Sequence, residues 1–198
     1  MSVDKLELIL ASASPRRTEL LAAAGIPHRV VVAAVTEHED PLTNPREMVL
    51  HNAQLKAAAV AKLHPAALVL GADTTVALDQ RALNKPANLE EARAMLKLLS
   101  GREHTVHTGI CLILKNEHLL ESHCIAAKVR FRNLSDEALN RYMGLVNTLD
   151  KAGAYGIQEG REIIIESFEP PISTIMGLPV EFLKERLSQL GLLQRLLR

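Results

Sequence analysis

The 198 residues carry 23 Lys and Arg against 23 Asp and Glu, so the chain is formally neutral and no overall field draws it to DNA or to an anionic membrane. Aromatic residues are 3% of the chain and Trp is absent, which leaves few stacking platforms for single-stranded nucleic acid. Two cysteines, Cys111 and Cys124, are too few for a disulfide scaffold, no apolar run reaches the length of a membrane span, and no signal peptide is recognisable. These features predict a cytoplasmic protein that binds neither nucleic acid nor membrane, one domain over residues 1–198, whose phosphate affinity must come from a local constellation.

Glu7 to Ala11 reads as a short buried strand. Ser14 and Pro15 then open a helix as N-cap and first helical residue, and Gly25 ends it. His28 to Val35 is β-branched and predicts a strand, followed by a polar loop over Glu37 to Thr43. Asn44-Pro45-Arg46-Glu47 starts a second helix, with Glu47 spaced for a capping box, running to about His64. Ala67 to Ala72 is an apolar run ending in Asp73-Thr74-Thr75, with strand character to about Leu78 and a turn at Asp79-Gln80. Asn88 and Glu91 cap a helix over Leu89 to Leu99, stopped by Gly101. Thr105 to Leu114 and Leu119 to Phe131 predict a hairpin around Lys115-Asn116-Glu117. Ser135 caps a helix to about Met143, Asp150 to Gly160 is a Gly-rich loop, Glu162 to Ser167 reads as a strand, and Gly177 to Leu190 as the last helix. The alternation predicts a mixed α/β fold, with a partly antiparallel sheet because of the hairpin.

Arg16 and Arg17 stand in the first turn of a helix, where the dipole favours negative charge. They are either solvated surface groups or half of an anion site built with Ser14 and the free backbone N–H groups. Lys56 shares a helical face with Val49, Ala53 and Val60, so it either snorkels to water or meets a ligand. Asp73 directly follows an apolar run, at the expected strand end where α/β sheets gather ligands. It either closes an Asx turn or holds a metal ion and activates water. Glu37 falls near another strand end, and the two carboxylates could share a hard divalent cation, with Glu39 and Asp40 close by. Lys85-Pro86 could present a lysine to a ligand. In Asp150 to Gln158 the glycines Gly153 and Gly156 allow close backbone approach or positive φ, and Gln158 offers an amide donor and acceptor suited to a pyrimidine edge. There is no P-loop and no H-E-x-x-H. His104 and His107 fall on opposite strand faces, and both cysteines read as packing residues.

Taken in order, Ser12-x-Ser14-Pro15-Arg16-Arg17, Glu37, Lys56, Gly71-Ala72-Asp73-Thr74, Lys85-Pro86, Ser100-Gly101, Asp150 to Gln158 and Gly177-Leu178-Pro179 resemble the Maf family from about residue 7 to 190. The resemblance implies an inosine-triphosphatase-like fold, a twisted mixed sheet with flanking helices forming two lobes around a cleft. It implies a nucleoside triphosphate pyrophosphatase that uses a divalent metal, Mg²⁺ or Mn²⁺, and commonly forms a homodimer. The family is also linked to septum formation, so a nucleotide-binding regulator without hydrolysis is the alternative. Arg16 after Pro15, Thr74 after Asp73, and Gln158 resemble the branch acting on dTTP and UTP. On this resemblance Asp73 accepts the proton of the attacking water and shares the metal with Glu37. Ser14, Arg16, Arg17, Lys56 and Lys85 hold the triphosphate, and Thr74 and Gln158 read the base. One segment departs from the family pattern: Ser167-Phe168-Glu169-Pro170-Pro171-Ile172-Ser173-Thr174-Ile175-Met176 stands where a Gly-Ser-aromatic turn is usual.

Overall fold

A computed structural model describes residues 5–198. Its elements in chain order are β1 (Leu8–Leu10), α1 (Pro15–Ala23), β2 (Arg29–Val30), α2 (Pro45–Ala61), β3 (Leu68–Leu78), β4 (Arg81–Leu83), α3 (Leu89–Leu99), β5 (Glu103–Leu114), β6 (Leu119–Phe131), α4 (Asp136–Leu145), α5 (Arg161–Ile164), β7 (Ile165–Phe168), α6 (Ile172–Met176), α7 (Val180–Gln189) and α8 (Leu193–Leu196). The seven strands form one sheet in the order β2-β1-β3-β5-β6-β7, with β4 added to β3. β1 runs parallel to β2 and β3, while β3, β5, β6 and β7 are successively antiparallel. The expected mixed α/β class is therefore the observed one.

Sequence alternation assigns the two sheet faces to different helices. Val69, Cys111 and Ile113 pack with Ala53, Ala57 and Val60 of α2. Leu70, Ala72, Ile110 and Leu112 pack with Leu178, Leu183 and Leu187 around α7. A third cluster joins Val76 and Leu78 to α3, α4 and the far ends of β5 and β6. α2 sits directly on the sheet because two facing strand residues are glycines. A Cβ on Gly71 would lie 2.1 Å from the Ala53 carbonyl oxygen, and one on Gly109 would lie 2.4 Å from that of Val49.

The local capping signals hold in part. Asn88 and Ser135 accept backbone N–H bonds from Glu91 and Ala138 as N-caps of α3 and α4. Asn44 caps α2 by accepting from the Arg46 N–H, not through a box with Glu47, and the helix ends at Ala61 rather than near His64. Ser14 occupies the N-cap of α1 without a side-chain cap bond.

Four expectations are corrected. The strand predicted over His28 to Val35 pairs only at Arg29–Val30, because β1 offers three residues and its edge is used up there. Glu162 to Ser167 begins as a helical turn, and the strand is Ile165–Phe168, because pairing with β6 and not β-propensity sets where it starts. The last long helix starts at Val180 rather than Gly177, and the departing segment supplies a short helix, α6, after a cis Pro170–Pro171 bond. Most consequential for function, Asp73 is not at a strand end: the strand does end at Leu78 as expected, but it runs unbroken through Asp73 because β5 pairs with it from Val69 through Ala77.

Candidate active site

On its other edge β3 is only partly covered. β1 pairs with Leu68 to Leu70 and β4 with Val76 to Leu78, so residues 71–75 face a gap in the sheet. The strand end that feeds this gap is that of β1, whose chain turns away through Ser12 to Ser14 into α1. The gap opens a cleft of about 550 Å³, within the usual range for small-molecule sites. Ser14, Arg16, Arg17, Glu37, Lys56, Asp73, Thr74, Lys85 and Gln158 all line it. Consecutive residues of β3 point to opposite sheet faces, and at an uncovered edge both faces reach the same cleft. Asp73 enters it from the α2 side and Thr74 from the α6 side.

The α2 side is a charge cluster. Lys56 Nζ lies 2.9 Å from Asp73 Oδ1 and 2.5 Å from Glu37 Oε2, and donates a longer bond of 3.4 Å to the Ala72 carbonyl. Lys56 and Asp73 are 8% and 9% exposed, so the lysine does not snorkel to water; it is the counter-charge of two carboxylates. Asn52, one helical turn before Lys56, donates from Nδ2 to Asp73 Oδ2 at 3.1 Å. The same amide group bonds both the N–H and the carbonyl of His38, pinning the loop that carries Glu37 to α2. Asn84 donates to the Glu39 carbonyl and ties the next stretch of that loop to the segment after β4.

The α6 side is built around a buried guanidinium. Arg17 donates from Nε to the Gly177 carbonyl at 2.9 Å, from Nη1 to Ser12 Oγ at 2.7 Å and from Nη2 to Thr74 Oγ1 at 3.2 Å. Burial pushes its pKa down, and the charges of Asp73 and Glu37 oppose that shift. These three bonds leave one N–H on each terminal nitrogen for an anion. Arg16 points the other way, toward Asp150, with Nη1 3.6 Å from Oδ2. Asp150 also accepts from the buried Lys151 Nζ at 2.7 Å. Burial pushes the Asp150 carboxyl up, but the bond to Lys151 and the charges of Lys151 and Arg16 outweigh it and hold the group below its usual range. Lys151 fits because Gly156 lacks the Cβ that would meet its Cε at 2.9 Å. Lys85 and Gln158 reach the rim as exposed side chains.

Asp73 and Glu37 are thus both brought into contact with Lys56, and Arg17 with Thr74. The sequence reading missed Ser12 as a partner of Arg17, and it missed Asn52 and Thr108. Asn52 had a usable signal, since it stands four residues before Lys56 on the same helical face; Thr108 had none short of the β3–β5 register.

Among the described residues no group of three or more His, Cys, Asp or Glu side chains is placed to hold a metal, and no helix is long and apolar enough to cross a membrane. The model of the Maf-like protein family matches residues 7–190. A dTTP/UTP pyrophosphatase of Akkermansia muciniphila is 42% identical over 184 residues, covering 93% of this chain and 96% of the relative. The dTTP/UTP pyrophosphatase of Bacillus cereus strain Q1 is 39% identical over 94% of this chain and 96% of its own. That of Bacillus mycoides is 40% identical over 92% and 95%. With a family match over nearly its whole length and relatives at this level of identity, the chain belongs to the Maf family.

Proposed function

We propose that this protein is a nucleoside triphosphate pyrophosphatase that hydrolyses dTTP and UTP to the monophosphate and pyrophosphate. The observation that carries the reading is the meeting of a carboxylate–lysine cluster and an arginine clamp in one cleft, at the gap in the sheet. The names of the relatives support the same activity and the same nucleotides.

In this reading Asp73 accepts the proton of the attacking water. Its Oδ1 is held by Lys56 and its Oδ2 by Asn52, so the carboxylate is fixed in orientation before substrate arrives. The free N–H groups of Arg17, with Arg16, Lys56 and Lys85, hold the triphosphate and take up charge as the α–β phosphoanhydride bond breaks. Ser14 and the N-terminus of α1 position one phosphate. Thr74 and Gln158 read the base.

Glu37 and Asp73 suit a hard divalent cation in donor type, since both offer carboxylate oxygens at the cleft, where each is paired with the Lys56 ammonium. Two carboxylates leave the remaining positions to phosphate oxygens and water. When bound, such a cation supplies charge neutralisation of the phosphates. Mg²⁺ or Mn²⁺ fits this donor set. A cytoplasmic homodimer completes the reading, and light scattering tests the assembly.

The deciding experiment is a panel of canonical and modified nucleotides assayed for pyrophosphate with Mg²⁺ or Mn²⁺. Release from dTTP and UTP ahead of CTP and the purine nucleotides supports the proposal. Nucleotide binding without pyrophosphate release replaces it with a regulatory role.

A further inference from the structure

Thr108 lies on β5 directly opposite Thr74 and is fully buried. Thr108 Oγ1 is 2.9 Å from the carbonyl oxygen of Thr174 on α6. A carbonyl only accepts, so the single hydroxyl proton of Thr108 is committed there. Thr74 Oγ1 stands 3.0 Å from Thr108 Oγ1, and with that proton committed Thr74 must be the donor between them. Arg17 Nη2 in turn donates to Thr74 Oγ1. The bonds therefore run with one polarity, from Arg17 through Thr74 and Thr108 to the Thr174 carbonyl. The Thr74 proton is turned away from the cleft, and one lone pair is all that Thr74 has left to offer.

We propose that Thr108 is a positioning residue that makes Thr74 an acceptor-only group, so that the cleft selects a substrate carrying a hydrogen-bond donor at that point. This rests on the base-reading role proposed for Thr74. On that role the donor is the N3–H of uracil or thymine. The N3 of cytosine carries a lone pair instead and meets the Thr74 lone pair, leaving both unsatisfied. The segment that departs from the family pattern is thereby given a part in recognition through its main chain. Thr174 terminates the hydroxyl chain, and Gly177, at the end of α6, accepts from Arg17.

The test compares kcat/KM for UTP and CTP in the wild type, Thr108→Val, Thr108→Ser and Thr74→Val. Valine keeps the shape of Thr108 and removes the hydroxyl, and the Thr174 carbonyl keeps its bond from the Gly177 N–H at 3.2 Å. Freed from Thr108, the Thr74 hydroxyl turns to donate to cytosine N3, and the UTP:CTP ratio narrows roughly tenfold, the size of one hydrogen bond. Thr108→Ser keeps the hydroxyl and holds the wild-type ratio, a rescue that general loosening of the core would not produce. If Thr108→Val fails to fold, Thr108→Cys, a weak donor and acceptor, must move the ratio in the same direction. A ratio moved by Thr74→Val but unmoved by Thr108→Val overturns the positioning role and leaves base reading by Thr74 standing. A ratio unmoved by either substitution removes Thr74 from base recognition, and the proposal with it.

Discussion

The two walls of the cleft are organised by different physics. On the α2 wall, Glu37, Lys56 and Asp73 are held by opposite charge, with Asn52 donating to the other carboxylate oxygen of Asp73. On the α6 wall, Thr74 and Thr108 are neutral, and order comes from the direction in which protons point between Arg17 and a backbone carbonyl. The walls meet because Asp73 and Thr74 are neighbours in the stretch of β3, residues 71–75, that neither β1 nor β4 covers. The contrast divides the labour: the charged wall suits proton transfer, and the hydroxyl pair of the directed wall, beside the Arg17 clamp on the phosphates, suits recognition. Substitutions on the first should change kcat, and those of Thr74 and Thr108 on the second should change the ranking of substrates.

Asp73→Asn tests the charged wall with the largest expected effect. Turnover should fall by about 10²–10⁴, the range for loss of a general base. Thermal unfolding should change little, because Glu37 remains as partner to Lys56. A variant that turns over at near the wild-type rate would take Asp73 out of the reaction and break the division.

His104 checks that both walls depend on one folded core. It is buried between Phe131 and Tyr155, and burial lowers its pKa to about 4 from an ordinary 6.5. In that interval the unfolded chain binds a proton that the folded chain refuses, so stability rises with pH. It is therefore lost as pH falls from 6.5 to 4, by up to roughly 3 kcal/mol, and levels off below. Denaturant unfolding at stepped pH should show this slope, and His104→Gln should flatten it.

Gly71→Ala sharpens the comparison through the backbone. The new methyl would sit 2.1 Å from the Ala53 carbonyl oxygen, so α2 must move and carry Lys56 and Asn52 with it. A loss of roughly 1–3 kcal/mol is expected. kcat should fall further than unfolding alone explains, with the UTP:CTP ratio unchanged in the folded fraction. Gln158→Ala has the smallest expected effect: a several-fold change in the ranking of dTTP, UTP and CTP, worth about 1 kcal/mol. An unchanged ranking would leave base recognition to the α6 wall alone.

The parts of this molecule that were legible in the sequence are those set by near neighbours. Asn88 and Ser135 announce their helices because a cap bonds its own first turn. The hairpin was legible because both arms are long and joined by a short polar turn. Lys56 and Arg17 stood out as charges where charge is costly, Asp73 and Glu37 as carboxylates near expected strand ends, and all four line the cleft. What depends on distant pairing did not show. β7 begins where β6 receives it, and β2 ends where β1 stops offering an edge. Asp73 read as a strand end because the apolar run stops there, although strand character was expected to about Leu78; pairing with β5 joins the two stretches into one strand. Thr108 was invisible for the same reason, since its meaning lies in a register that joins residues 34 apart.

On the proposed function, one cleft both holds a pyrimidine triphosphate and breaks it at the α–β bond. The most direct measurement follows UTP in parallel with the wild type and Asp73→Asn, counting UMP, pyrophosphate and orthophosphate. UMP and pyrophosphate are expected in equal amounts from the wild type and almost none from Asp73→Asn. UTP that binds but is recovered intact from the wild type, or orthophosphate as the first product, would contradict it.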